Sequence, residues 1–357
     1  MTLRLGSPAL PLQTTTDYAR PSHALASATG RIMTRLIGTL AALAALAALT
    51  APAGALDWPT RPVTMVVPFA AGGGTDVLGR IVGRRLSEVI RQQVVIENVG
   101  GAGGMVGSAR VAKAAPDGYQ FVLGSRADAI NQTLYKNPLY NLLTDLVPVV
   151  MVAEQPMVLV TRKDFPADTV PDFIAYAKKN QSTMQFGSAG AGSTGHTDCA
   201  LFNAAIGVTI THVPYRGGGP AMQDLIGGRI DYFCTLSATA VPSIEGNLVK
   251  ALAVFTRTRL PMLPKLATAY EQGFTELEAS TWFAFFVPKG TPEPIVQALH
   301  DATVVALDTA VVKEQLLAAG TIVAPPERRS TEYLKRFVAD EIEKNAAPIR
   351  AAGLAVE

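Results

Sequence analysis

Four glycine-rich segments of this sequence, at positions 69–76, 100–105, 188–196 and 215–221, each lie between a predicted strand and a predicted helix. In a parallel α/β sheet such turns lie at the carboxyl edge, where these folds bind ligands. Their backbone N–H groups and the positive end of the following helix dipole favour a negatively charged group. Two turns belong to each half of the chain. The spacing therefore predicts an anion held from two sides, which is a binding function and not a catalytic one.

Catalytic side-chain patterns are scarce by comparison. The sequence contains no Gly-x-Ser-x-Gly elbow, no His-Glu-x-x-His motif and no Walker A lysine motif. Of the histidines that follow the N-terminal region, His212 belongs to a predicted strand and His300 to a charged C-terminal helix. Only His196 follows a glycine-rich turn, and a structural role and a ligand contact both remain open for it. We expect no enzyme activity and no catalytic residue.

One glycine pattern supports an alternative function. Gly190, Gly192 and Gly195 satisfy the Gly-x-Gly-x-x-Gly pattern of dinucleotide-binding folds, which would suggest a nucleotide-dependent oxidoreductase. That pattern also requires an acidic residue after the next strand, about 20 residues on. Here the next predicted strand ends at 213–216 in Val-Pro-Tyr-Arg, which contains no carboxylate. A secreted structural protein is a further alternative, and it would bind no small molecule saturably.

Strand and helix signals alternate along the chain. A β-branched apolar run at 63–67, followed by a helix with an apolar face, begins a strand–helix–strand–helix–strand series. A similar series begins near position 157. This order predicts doubly wound, mainly parallel sheets flanked by helices in two lobes. We expect residues 57–155 and 281–357 to form lobe 1, with the C-terminal helices packed on it, and residues 156–280 to form lobe 2.

The N-terminal region is typical of an export signal. Arg35 precedes an apolar run at 36–49, and Ala53 and Ala55 supply the small residues that signal peptidase requires before its cleavage point. The run is shorter than the roughly 20 residues of a membrane-spanning helix. We therefore predict a cleavable signal peptide at 33–55 and a periplasmic protein. The preceding 32 residues are predicted to be a non-native extension or disordered.

Composition limits the partners of the remaining chain. The 357 residues are 48% hydrophobic and 17% charged, with a net charge of +2. The first 55 residues hold four arginines against one aspartate, so the rest is close to neutral and offers no basic surface for nucleic acid. Cys199 and Cys234 could form a disulfide or remain two buried thiols. Without histidines at ligand spacing they do not predict a metal site, and we expect no cofactor.

From position 58 onward a series of ordered motifs resembles one known family, the Bug-type (TctC-like) periplasmic receptors of tripartite tricarboxylate transporters. The motifs are WPxRP at 58–62, VPFAAGGGTD at 67–76, ENxxGAGG at 97–104, APDGY at 115–119, AIN at 129–131, LYK at 134–136, GST at 192–194, HVPYRG at 212–217 and PA at 220–221. The resemblance implies a two-lobed periplasmic-binding-protein fold (type II-like) with a ligand cleft between the lobes. It also implies a monomeric receptor that captures a small carboxylated metabolite for membrane permease subunits. Di- and tricarboxylates, amino acids and aromatic acids all remain open as ligands.

The resemblance, together with the positions of the turns, predicts a set of ligand-binding residues. These are Phe69, Ala70, Gly73, Gly74, Thr75, Asp76, Ser125, Arg126, Ser188, Ala189, Gly190, Gly192, Ser193, Thr194, His196 and Tyr215. Within this set, Asp76 is expected to cap its helix rather than to contact the ligand.

The chain departs from the family pattern at three positions. Gly195 stands where the family usually has serine, Thr235 where it often has aspartate, and Arg126 where it usually has a small or polar residue. We hypothesise that Arg126 enters the cleft and pairs with a second acidic group of the ligand. The alternative is a solvent-facing arginine that pairs with Asp128.

Overall fold

The computed structural model describes residues 57–275 and 277–354. The predicted extension at 1–32 and the predicted signal peptide at 33–55 lie outside the described residues. Within those residues, ten strands join in one sheet. In chain order the strands are β1 (Val63–Val67), β2 (Val94–Asn98), β3 (Gln120–Ser125), β4 (Leu146–Arg162), β5 (Gln185–Ser188), β6 (Thr211–Pro214), β7 (Tyr232–Leu236), β8 (Val249–Val254), β9 (Ser280–Pro288) and β10 (Ile322–Val323).

Helices follow most of the strands, as the alternating sequence pattern predicts. In chain order they are α1 (Gly74–Ile90), α2 (Met105–Ala112), α3 (Arg126–Leu134), α4 (Val170–Asn180), α5 (Thr194–Ile206), α6 (Gly218–Ile226), α7 (Ser237–Glu245), α8 (Glu293–Leu307), α9 (Ala310–Ala318) and α10 (Thr331–Ala351). The helices cover both faces of the sheet, which is the α/β architecture expected from the sequence.

The sheet is built from two parallel groups of strands. Strand β1 lies between β2 and β3 in one group, and β5 lies between β6 and β7 in the other. We call the part of the molecule built on β1–β3 lobe 1 and the part built on β5–β7 lobe 2. Strands β4, β8, β9 and β10 pair antiparallel, so antiparallel pairs are added to the predicted parallel group of each lobe.

Strand β4 connects the two lobes without a break. It pairs with β9 as far as Pro156 and with β7 from Met157 onward. The domain boundaries predicted near Gln155 and Ser280 lie beside this change of partner. A division there remains a prediction, because the backbone of β4 is continuous through it. The continuous strand nevertheless fixes where the ends of the two parallel groups face each other.

Close packing of α1 on lobe 1 explains how its N-terminus is positioned. The apolar residues Leu78, Val82 and Leu86 of α1 are fully buried. On the same helix, a Cβ atom at Gly79 would lie 3.0 Å from Val67 Cγ2, and one at Gly83 would lie 2.9 Å from Ile96 Cδ1. The two glycines therefore let the helix lie close against the sheet. Its first turn is thereby held at the carboxyl end of β1.

The C-terminal helices return to lobe 1, as predicted. Helix α8 packs against α1, and α10 packs against α3 and β4. Among the described residues, no single helix is long and apolar enough to cross a bilayer; α8 and α9 meet that criterion only together, as a pair bent by 73°. Because the long α10 packs against α3, it supports that helix, whose first residue follows the end of β3.

Candidate functional site

A cavity lies between the lobes, where β1, β3, β5 and β7 end. All of its lining residues are uncharged: Phe69, Gly73, Gly74, Thr75, Ser125, Met157, Ala189, Ser193, Thr194, Gly195, Gly218, Phe233, Cys234, Thr235, Leu236, Thr239, Thr281 and Phe283. Hydroxyl groups, backbone amides and apolar side chains therefore make the wall.

Five helices begin at this wall. Helices α1 and α3 come from lobe 1, and α5, α6 and α7 come from lobe 2. Each helix N-terminus carries a partial positive charge and backbone N–H groups that have no partner inside the helix. The convergence of these helix ends makes the cavity favourable for negative charge without a charged side chain.

The helix ends at the cavity differ in how they are capped. Ser125 and Ser193 cap α3 and α5, because each hydroxyl accepts a first-turn backbone N–H at 3.3 Å. The N-cap residues of α1, α6 and α7 are Gly73, Gly217 and Leu236, and none of them supplies a side-chain cap. The Gly74 N–H of α1 is taken by Thr239 Oγ1, whereas the other first-turn N–H groups at these uncapped helix ends can donate to a bound anion.

Hydrogen bonds join the two lobes around the cavity. The backbone N–H of Gly74 in lobe 1 donates to Thr239 Oγ1 in lobe 2 at 2.7 Å, and this contact is buried. The hydroxyl of Tyr135 in lobe 1 donates to the carbonyl oxygen of Ala191 in lobe 2 at 3.0 Å. The loops of the two lobes therefore contact each other directly, which is the closed arrangement of a two-lobed cleft.

A carboxylate braces the loop that leads into α1. Asp76 accepts hydrogen bonds from the backbone N–H of Gly72 at 3.0 Å, from Arg80 Nε at 2.9 Å and from Asn98 Nδ2 at 2.9 Å. Burial by itself raises the pKa of Asp76, but these hydrogen bonds outweigh it and hold the pKa below its ordinary value. Asp76 thus stays charged and binds its own loop, but it does not cap α1 as predicted, because it accepts the Gly72 N–H, which precedes the helix.

Neutral side chains brace the corresponding loop before α5. The Ser188 Oγ atom accepts the Gly190 N–H at 3.0 Å and shares a hydrogen bond of 2.7 Å with His212 Nε2, while His196 Nδ1 accepts the Gly192 N–H at 3.3 Å. The two imidazole rings lie 4.2 Å apart between centroids. Burial lowers the pKa of His196, and burial together with the other imidazole lowers the pKa of His212 to about 3. Both histidines are therefore neutral supports for the loop.

A disulfide fixes α5 to β7 beside the cavity. It joins Cys199 and Cys234, which settles the two alternatives left open by the sequence. The first turn of α5 also lies against β7, since a Cβ atom at Gly195 would be only 2.4 Å from the Cys234 carbonyl oxygen. A serine at position 195 would not fit unless the backbone moved. The glycine at this position therefore follows from the close approach of helix and strand.

Comparison with known proteins places the chain in a family. Residues 78–354 match the model of the tripartite tricarboxylate transporter family receptor, TctC. The chain is also 36% identical over 323 residues to Protein BugT from Bordetella pertussis, an alignment that covers 90% of this chain and 98% of that protein. The chain belongs to the TctC receptor family. The resemblance found in its motifs is therefore confirmed.

Solved structures of similar proteins have the same fold. The periplasmic binding protein BugD is 35% identical with a TM-score of 0.82, and the similarity covers 84% of this chain and all of that one. MatC from Rhodopseudomonas palustris, solved with bound malate, is 36% identical with a TM-score of 0.79 over 82% of this chain and 100% of that one. A further R. palustris protein, solved with adipate, is 36% identical with a TM-score of 0.79 over 84% and 99% of the two chains. Members of this family are thus periplasmic binding proteins.

The structure of this TctC receptor divides the predicted ligand-binding residues into two groups. The cavity is lined by Phe69, Gly73, Gly74, Thr75, Ser125, Ala189, Ser193 and Thr194. The remaining predicted residues are not part of the lining: Ala70, Asp76, Arg126, Ser188, Gly190, Gly192, His196 and Tyr215. Most of the second group hold the two loops in place, as the hydrogen bonds of Asp76, Ser188 and His196 illustrate.

Two polar side chains of the receptor point away from the predicted contacts. The guanidinium of Arg126 does not line the cavity; it pairs with Asp198, because that buried carboxylate requires a positive partner. It does not pair with Asp128 either, since Asp128 accepts the hydroxyl of Tyr140 and the backbone N–H of Ser125. In lobe 2, the hydroxyl of Tyr215 donates to Asp224 at 2.7 Å instead of facing the cavity.

Several lining residues were missed by the sequence-based prediction, and they fall into two groups. Phe233, Leu236 and Thr239 belong to β7 and α7, which follow each other without a glycine-rich turn. Met157 and Phe283 belong to the strands that connect the lobes. The sequence signal that could have revealed the first group is a predicted strand that runs directly into a predicted helix. The second group depends on antiparallel pairing that one sequence does not reveal.

Metal and nucleotide chemistry find no support at this site. Within residues 57–275 and 277–354, no cluster of three histidine, cysteine, aspartate or glutamate residues could hold a metal ion. The N–H groups of Gly190 and Gly192 already donate to Ser188 and His196, so they are not free for a pyrophosphate. Moreover, the TctC family consists of solute-binding receptors. The family match therefore favours a solute receptor over the oxidoreductase alternative.

Proposed function

We propose that this chain captures a small carboxylated metabolite between its two lobes and holds the carboxylate through backbone N–H groups and hydroxyls. The observation that carries this proposal is the convergence of five helix N-termini, three of them without a side-chain cap, on a cavity with an uncharged wall. In such a site a carboxylate gains charge-assisted hydrogen bonds from groups already in position. A cationic ligand would instead face the positive ends of all five helix dipoles.

Within this class we favour a diacid of short chain length as the ligand. Malate and adipate, with which two similar receptors were solved, carry two carboxylates each. Helix ends from both lobes could each receive one acid group, and the apolar side chains of Met157, Phe233 and Phe283 could contact the carbon chain between them. Amino acids and aromatic acids are the other candidate ligands of the class.

The same proposal includes location and partner. We propose that the chain is exported to the periplasm through the signal peptide at 33–55 and delivers its ligand, as a monomer, to the permease subunits of a tripartite tricarboxylate transporter. A disulfide between Cys199 and Cys234 is consistent with an oxidising compartment. Delivery would follow from a shift between open and closed forms, of which the ligand stabilises the closed one.

Thermal melting of the chain from position 56 onward against a panel of acids tests the ligand class. The panel contains malate, adipate, aspartate, benzoate and the monoamide of each diacid, with NADH for the oxidoreductase alternative. A ligand that binds only the folded protein adds about 2.7 kcal/mol of stability at one hundred times its dissociation constant. We expect at least one diacid to raise the melting midpoint and its monoamide to leave the midpoint unchanged. A folded protein that responds to no acid would contradict the proposal.

A glycine substitution tests whether the helix ends make the site. Gly73 has an ordinary extended backbone, and a Cβ atom there would lie 3.3 Å from the N atom of Gly218 and 3.5 Å from that of Gly219. Gly73→Ala should therefore obstruct the first turn of α6 and weaken diacid binding at least 10-fold, about 1.4 kcal/mol. Gly227→Ala is the matched control, because its Cβ atom would also meet a backbone atom at 3.3 Å but at the far end of α6. Equal affinities of the two variants would contradict the proposed role of the α6 N-terminus.

A further inference from the structure

An ion pair crosses from lobe 1 to lobe 2 beside the cavity. Arg126 is the first residue of α3 in lobe 1, and Asp198 lies in α5 of lobe 2. The Nη1 atom of Arg126 lies 3.0 Å from Asp198 Oδ1 and 3.1 Å from Asp198 Oδ2. Both helices begin at the cavity wall, since Ser125 and Thr194 line it. The pair therefore joins the two elements that would grip a ligand from opposite sides.

The arginine is held in place from its own lobe. Its Nε atom donates to Asn345 Oδ1 of α10 at 3.1 Å, and Asn345 Nδ2 in turn donates to the carbonyl oxygen of Glu341 at 2.7 Å. Nη1 also donates at 3.2 Å to the carbonyl oxygen of Ser280, which begins the connecting strand β9 at the boundary between the lobes. These contacts orient the guanidinium before the lobes meet. Little side-chain freedom is then lost when it contacts Asp198.

The aspartate depends on this arginine. The side chain of Asp198 is 4% exposed, and among the described residues Arg126 is the only partner within hydrogen-bond distance of its carboxylate. A buried carboxylate without a partner is strongly unfavourable. When the lobes separate, water can hydrate both groups. Loss of the arginine therefore destabilises the closed arrangement far more than the open one.

We propose that Arg126 and Asp198 form a latch that stabilises the closed arrangement of the lobes and thereby raises the affinity of the cleft for every ligand it takes. The inference rests on the proposed function, and it makes Arg126 a positioning residue that acts without touching the ligand. Because the apparent dissociation constant scales inversely with the fraction of binding-competent protein, the latch acts on all ligands by one common factor. A direct contact with a second acid group would instead depend on the ligand.

Calorimetric titration with malate and with adipate measures this common factor. We expect Arg126→Met to weaken the binding of both acids by a similar factor, on the order of 10- to 100-fold, since it leaves a buried carboxylate unpaired. Asp198→Leu should also weaken both, and the double variant should lose less than the product of the two single losses. A loss confined to one acid would overturn the latch, as would tighter binding by Asp198→Leu or the absence of coupling between the two changes.

Two further measurements keep the result interpretable. Arg162→Met breaks an ion pair with Asp231 that lies wholly within lobe 2, and it should leave both affinities unchanged. Small-angle X-ray scattering of the ligand-free wild type and of Arg126→Met should show a larger radius of gyration for the variant, and identical curves would count against the latch. If neither acid binds the wild type, the proposed ligand class fails while the scattering comparison still decides on the latch.

Discussion

The two loops that border the cavity, 69–76 in lobe 1 and 188–196 in lobe 2, perform the same task with different chemistry. Each leads from a parallel strand into a helix whose first turn lines the cavity. The first loop is braced by the charged Asp76 with Arg80 and Asn98, and α1 has no side-chain cap. The second is braced by neutral imidazoles and capped by a serine, and its helix carries a disulfide.

The difference teaches how a site for anions can be supported near negative charge. Asp76 is tolerated because Arg80, whose side chain is half exposed, neutralises it on the outer side of the loop. Within residues 57–275 and 277–354, no arginine side chain donates a hydrogen bond to loop 188–196; Ser188 and His196 are buried there, and His212 is partly buried. Neutral groups avoid the cost of an unpaired buried charge there. We therefore expect lobe 1 to respond to loss of charge and lobe 2 to respond to reduction and to mild acid.

The largest effect should follow from removing the disulfide of lobe 2. The bond closes a loop with a sequence separation of 35, for which chain entropy predicts a contribution of about 3–4 kcal/mol. Cys199→Ser/Cys234→Ser should lower the free energy of unfolding by about that amount in urea denaturation. The wild type with a reducing agent should approach the same value. Equal stability of oxidised and reduced protein would show that the disulfide does not stabilise lobe 2.

Loss of the carboxylate in lobe 1 should come next. Asp76→Ala removes three hydrogen bonds to a charged acceptor and leaves the Gly72 N–H without its partner, so we expect a loss of about 2–3 kcal/mol in the free energy of unfolding. Asp117→Ala is the matched control, because its ion pair with Arg61 is exposed and should contribute less than about 1 kcal/mol. Similar losses in the two variants would show that Asp76 is not the brace of its loop.

Much of this site could be predicted from sequence, and the limits have a physical cause. Local signals indicate where a strand ends in a turn, and Gly73, Ser125 and Thr194, which were predicted on that basis, line the cavity. The order of strands and helices likewise indicated two α/β lobes. Such signals act over a few residues, and they do not reveal which face of a turn a side chain takes.

Contacts between distant parts of the chain account for what was missed. The partner of Arg126 is 72 residues away in sequence and belongs to the other lobe. The antiparallel pairing of β9 with β3 and β4 places Phe283 at the cavity, and no local pattern encodes it. Prediction from one sequence is therefore strongest where the backbone itself makes the site. It is weakest where a side chain of one lobe contacts the other lobe.

The smallest effect concerns the neutral imidazoles of lobe 2 and appears only in the pH dependence of stability. The folded-state pKa of His212 is lowered to about 3, whereas the ordinary value is 6.5, so between these values the unfolded chain binds more protons than the folded one. Stability must then fall as the pH decreases through this window, by at most about 1.4 kcal/mol per pH unit for one histidine.

The free energy of unfolding, measured by urea denaturation between pH 6.5 and 4.5, tests this pH dependence. Asp76 does not interfere in this range, because its carboxylate loses its stabilising charge only below the ordinary pKa of 3.8. We expect His212→Gln, whose amide oxygen can still accept the Ser188 hydroxyl, to have a flatter pH dependence than the wild type. Parallel slopes for the two proteins would mean that the loop of lobe 2 does not depend on a neutral histidine.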